Sequence, residues 1–110
     1  MDIKIEKNGE IAVLHCEGVL DADTVALFRK RAGELFDGGT TKFVMDVSNL
    51  SFIDSMGLGA MISLLRRARD KKGDVKVCGI NREIKEIFEI TRLHRLFEIF
   101  KNVEEAVQKF

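Results

Sequence analysis

The sequence predicts an α/β fold: an N-terminal β-hairpin leading into a mostly parallel sheet of about five strands, with about four helices. Three observations predict it. Short apolar, β-branched runs alternate with longer stripes of helical spacing, the pattern of strand–helix–strand units. Asn8-Gly9, a strong hairpin signal, lies between the first two strand-like runs. The chain has 110 residues, 45% hydrophobic and 33% charged, which suits one ordered domain over 1–110 with its own core.

Ile3-Lys4-Ile5-Glu6-Lys7 alternates as a strand with one wet face, and Ile11 to Cys16 returns as a more buried strand. His15 lies in its middle. With no second histidine or carboxylate expected in register, it reads as a satisfied strand histidine. Gly18-Val19-Leu20-Asp21 ends that strand. Asp21, Asp23 and Thr24 are N-cap types ahead of a stripe of Val25, Leu27, Phe28, Ala32, Leu35 and Phe36. Asp37-Gly38-Gly39 stops this helix.

Phe43-Val44-Met45-Asp46-Val47 reads as a buried strand, and Leu58, Met61, Ile62, Leu65 and Ala68 recur at helical spacing. The basic run from Arg66 to Lys72 reads as a solvated face favoured by the helix dipole. Val75 to Ile80 is the next strand. Asn81 caps a helix with stripe Ile84, Ile87, Phe88 and, weakly, Ile90. Leu96 to Phe100 reads as a short strand. Asn102 opens a last helix bearing Val103, Ala106 and Val107.

Composition excludes several functions. Lys+Arg and Asp+Glu are equal at 18 each, so net charge recruits neither nucleic acid nor an anionic membrane. Tryptophan and tyrosine are absent, and the eight phenylalanines lie mostly in apolar runs, which reads as core rather than as a base-stacking platform. No basic-then-apolar leader opens the chain, and no run approaches the ~20 apolar residues of a membrane helix, so a cytoplasmic protein is expected. Cys16 and Cys78 read as reduced core residues, and two thiols without clustered histidines make a poor zinc site. No metal or cofactor is expected.

The most informative stretch joins the third strand to the next helix: Asn49-Leu50-Ser51-Phe52-Ile53-Asp54-Ser55-Met56-Gly57-Leu58-Gly59. Serine is a favoured N-cap, so Ser55 is placed at the helix start, where free N–H groups and the dipole favour an anion. Gly57 and Gly59 fall in the first turn although glycine costs a helix interior ~1 kcal/mol relative to alanine. They read as bare backbone that another protein approaches closely. On that reading alanine at either position holds or raises stability.

This stretch, preceded by Val44-Met45-Asp46-Val47-Ser48, resembles the central motif of the anti-sigma factor antagonists, single-domain STAS proteins of bacteria. Gly18-Val19-Leu20-Asp21 resembles a second element of that family, Gly-x-Leu-Asp. The resemblance implies a STAS-type domain with helices mainly on one side of the sheet. It also implies that Ser55 is phosphorylated by an anti-sigma factor that is itself a serine kinase, and that a serine phosphatase reverses this. Unphosphorylated, the chain would bind the anti-sigma factor and so release a sigma factor. The implied partner surface is Asp21, Asp23, Thr24, Asp54, Ser55, Met56, Gly57, Leu58 and Gly59. Met56 departs from the serine or threonine common at its position, and Val19 from a polar residue. A monomer is expected when the chain is free.

Catalysis is not expected. Neither His15 nor His94 is placed to activate Ser55, and Gly-x-Ser-x-Gly is absent. No phosphate-binding glycine loop is complete. Two alternatives remain: a small-anion or nucleotide-binding module, and a STAS partner of a transporter or a stress-signalling complex.

Overall fold

The computed structural model describes residues 1–110. Its strands are β1 (Asp2–Asn8), β2 (Ile11–Leu20), β3 (Lys42–Ile53), β4 (Asp74–Cys78) and β5 (Ile99–Phe100). Its helices are α1 (Val25–Asp37), α2 (Ser55–Asp70), α3 (Arg82–Ile90) and α4 (Val103–Gln108), with a 3-10 turn at Leu93–Arg95. The sheet order is β1-β2-β3-β4-β5; β1 runs antiparallel to β2 and the other pairs are parallel. The expected hairpin, parallel sheet and four helices are therefore present.

The hairpin turns at Gly9-Glu10, one residue later than Asn8-Gly9 at its centre, because Asn8 still pairs with Ile11. Gly9 takes φ 61°, the positive value that a type II′ turn requires at its first central residue.

From β2 onward each strand is added on the same side of its predecessor. Right-handed crossovers then place every connecting helix on one face. Accordingly Phe28 of α1, Met61 and Leu65 of α2, and Ile84 and Phe88 of α3 share one buried cluster with Leu14, Phe43, Met45 and Val77 of the sheet. The opposite face is covered only by α4. There Ala106 packs against Ile11, Val13, Val44 and Cys78.

β3 departs from the expected Phe43–Val47 strand by running on to Ile53. It holds its pairing with β2 through two irregularities. His15 pairs with Asp46 but Glu17 with Asn49, and Gly18 pairs with Leu50 but Val19 with Phe52. Each shift inserts one extra residue into β3, a bulge that breaks alternation. Ser48-Asn49 and Ser51-Phe52 are therefore exposed in pairs. The second bulge turns Phe52 outward, 48% exposed, so it is not among the phenylalanines that fill the core.

Three smaller expectations also change. β5 is only Ile99–Phe100, because Leu96 closes the 3-10 turn and Phe97 enters the core. Ile90 ends α3 off its buried stripe, 82% exposed. The basic run is not wholly solvated: Arg67 lies 4.3 Å over the Phe36 ring, and Arg69 bonds Asp74 and the Leu96 carbonyl.

Candidate functional site

β2 and β3 are adjacent and parallel, so their carboxyl ends deliver two loops to one edge. Asp54 joins them. Its N–H donates to the Leu20 carbonyl at 3.1 Å. Its carboxylate accepts from Gly57 N–H at 2.9 Å through Oδ1 and from Ala22 N–H at 3.0 Å through Oδ2. The first bond makes Asp54, not Ser55, the N-cap of α2. Aspartate wins because its two oxygens serve the helix and the neighbouring loop together.

Ser55 thereby becomes the first helical residue and is exposed. Its hydroxyl is not spent on capping, whereas Ser48 Oγ donates to Asp46 at 2.7 Å and Ser51 Oγ to the Gly18 carbonyl at 3.0 Å. The N–H groups of Ser55 and Met56 precede the first intrahelical bond, which Leu58 N–H makes to the Asp54 carbonyl. They remain free to face an anion.

The neighbouring loop is braced from within. Asp21 Oδ1 accepts from Asp23 N–H at 3.0 Å and Thr24 N–H at 3.2 Å. Thr24 occupies the N-cap position of α1 without capping it by side chain; its hydroxyl donates to the Val19 carbonyl at 2.9 Å. Asp23 is exposed. Three carboxylates, Asp21, Asp23 and Asp54, thus lie on two loops tied by the Asp54–Ala22 bond.

The two glycines part company. A Cβ on Gly57 would stand 2.5 Å from the Leu20 carbonyl oxygen, 2.8 Å from Leu20 Cγ and 2.9 Å from Ile53 Cγ1. Gly57 is buried and lets α2 close onto β2, so it is a packing requirement rather than a point of access. A Cβ on Gly59 would meet nothing within 4 Å, so alanine has room there. Leu58 is half-buried and packs on the core, whereas Met56 is 49% exposed.

The STAS domain family model matches residues 2–106. The chain belongs to the STAS domain family. An anti-sigma F factor antagonist of Paenibacillus polymyxa is 24% identical to this STAS domain over 108 residues, covering 97% of this chain and 92% of the relative. Among solved structures, an anti-sigma factor antagonist from Mycobacterium paratuberculosis superposes with TM-score 0.89 at 18% identity, covering 98% of this chain and 92% of that one. The Bacillus cell fate determinant SpoIIAA in its phosphorylated form superposes with TM-score 0.77 at 23% identity, over 98% of each chain. At such identities the superpositions establish the fold.

Two features of this STAS domain escaped the sequence. Ala22 offers the N–H that links the loops, and a backbone donor carries no side-chain signal. Phe52, three residues before Ser55, is exposed, as is Met56 directly after it.

His15 also differs from expectation, because Asp46 stands in register with it and Glu6 reaches it from two residues along β1. Asp46 Oδ2 lies 2.7 Å from Nδ1 and Glu6 Oε1 lies 3.1 Å from Nε2. Burial pulls the His15 pKa down, but the hydrogen bonds and charges of Glu6 and Asp46 outweigh it and leave the pKa above 6.5. Burial pushes Asp46 up, yet the Ser48 hydroxyl and N–H and the His15 ring hold it below 3.8. This chain of groups is separate from Ser55.

Cys16 and Cys78 belong to the clusters on opposite faces of the sheet. Burial, with the charge of Asp46 added, pushes both thiols up to about 12. They remain unreactive thiols at neutral pH.

Proposed function

We propose that this STAS domain is an anti-sigma factor antagonist switched by phosphorylation of Ser55. One observation carries the reading: Asp54 takes over the capping of α2 and leaves an exposed serine hydroxyl uncommitted at the helix start. The naming of relatives as anti-sigma factor antagonists supports it. Unphosphorylated, the surface of Asp21, Asp23, Thr24, Asp54, Ser55, Met56 and Gly59 binds an anti-sigma factor that is a serine kinase, freeing a sigma factor. Gly57 shapes that surface from below. The protein acts by binding, not catalysis, and works in the cytoplasm; no helix is long and apolar enough to cross a membrane.

The switch follows from charge. A phosphoryl group adds roughly −1.5 to −2 charges at neutral pH. It lands on the residue next to Asp54, across the Ala22 bond from the loop of Asp21 and Asp23. The Ser55 and Met56 N–H groups stabilise it, so the fold survives. The concentrated charge and bulk expel the partner, and a serine phosphatase restores binding.

The test mixes the protein with ATP and the kinase-type anti-sigma factors of its own genome, then maps phosphate by mass spectrometry. Phosphate on Ser55 and none on Ser48, Ser51 or Ser63 is expected. Stoichiometric phosphate on Ser55→Ala protein overturns the assignment.

A further inference from the structure

We propose that Met56 is a second modification site on the same surface: peroxide oxidises its thioether to the sulfoxide, which weakens the partner complex without phosphorylation. The partner half of this inference rests on the function proposed above.

The sulfur inventory of the chain carries the selectivity. Met45 and Met61 are wholly buried. Cys16 and Cys78 are 2% and 0% exposed, in the two core clusters. Peroxide attacks thiolates rather than thiols, and neither buried cysteine offers one. Met1 is half-buried at the chain start, packed on the core. Met56, alone among the sulfurs, is exposed, at 49%, in the first turn of α2.

The reaction balances with peroxide as the only co-reactant. The thioether sulfur attacks one peroxide oxygen, an S–O bond forms and the O–O bond breaks. The departing hydroxide takes the proton of the transferred oxygen and leaves as water. Sulfur loses two electrons and the peroxide gains them. A flexible apolar side chain becomes a polar, chiral one, reversibly by methionine sulfoxide reductases.

Position gives the change its effect. Met56 directly follows Ser55, and Phe52, 48% exposed, lies just before the loop. Met56 thus adds an exposed apolar side chain next to Ser55 and Asp54, and Phe52 is exposed three residues before Ser55. Methionine is among the residues enriched in the buried part of protein interfaces, where its side chain loses its water. A sulfoxide there must be desolvated on binding and has no partner group waiting for it.

The test treats wild type and Met56→Leu protein with hydrogen peroxide and maps added oxygen by peptide mass spectrometry. Leucine keeps an apolar side chain of similar volume. Met56 should be oxidised ahead of Met1, Met45, Met61 and both cysteines. Affinity for the kinase-type anti-sigma factors is then measured before and after peroxide. Wild type should lose roughly tenfold, with an unchanged melting temperature, and regain it with methionine sulfoxide reductase. Met56→Leu, whatever its starting affinity, should show no further loss on peroxide treatment. Preferential oxidation elsewhere, or binding indifferent to Met56 sulfoxide, overturns this inference alone. Failure of the unoxidised protein to bind any anti-sigma factor overturns the proposed function, and this inference with it.

Discussion

Gly57→Ala tests how α2 meets the sheet. The new Cβ would stand 2.5 Å from the Leu20 carbonyl oxygen and within 3 Å of Leu20 Cγ and Ile53 Cγ1. The carbonyl cannot retreat freely, because it accepts the 3.1 Å bond from Asp54 N–H that joins the two loops. Overpacking of this kind costs about 1–3 kcal/mol. Alanine returns at most ~1 kcal/mol of helix propensity, less in a first turn. A net loss of about 1–2 kcal/mol follows, or roughly 4 to 9 °C in melting temperature for a domain of this size. Gly59→Ala is the internal control: its Cβ meets nothing within 4 Å, so it should hold stability or gain about 0.4–1 kcal/mol. Urea titrations followed by circular dichroism, with m-values compared, measure both. A Gly57→Ala protein as stable as wild type would refute the packing argument.

Three further outcomes are expected. Asp54→Asn supplies one acceptor oxygen where the native carboxylate uses two, so either Gly57 N–H or Ala22 N–H loses its bond; stability should fall by about 1 kcal/mol, and hydrogen exchange at one of those two amides should accelerate. Asp21→Asn keeps the Oδ1 acceptor and should fold normally, yet narrow the affinity gap between phosphorylated and free forms; high salt should narrow it too, and a gap blind to both changes leaves steric exclusion as the mechanism. The raised His15 pKa stabilises the fold fully below pH 6.5 and ceases to do so as pH rises through the folded-state value. The lowered Asp46 pKa works oppositely, its contribution being lost as pH falls below 3.8 through the folded-state value. Denaturation midpoints across pH should therefore show a decline above pH 6.5 in wild type that His15→Gln lacks; parallel profiles would show that the ion pairs are not felt.

What could be read along the chain is what neighbours along the chain decide. Apolar spacing placed α1, α2 and α3, because a helix selects its buried face from residues three and four apart. Asn81 and Asn102 were legible as caps, since each accepts from an N–H three residues on. The stretch around Ser55 was legible because a strand-to-helix junction has a local grammar of caps and glycines. Tertiary structure decided the rest. The two bulges in β3 depend on which β2 residue each one faces, and they, not hydropathy, turn Phe52 outward. The same pairing brings Asp46 to His15, a contact 31 residues apart in sequence. Lys76 is a charged strand residue only 4% exposed, held by Glu98 at 2.9 Å and covered by the Phe110 ring, both distant in sequence. Gly57 is open backbone by local sequence alone, but Leu20 lies beneath it in the fold. Register and close approach are set by packing between segments distant in sequence, and no window of local sequence contains both partners.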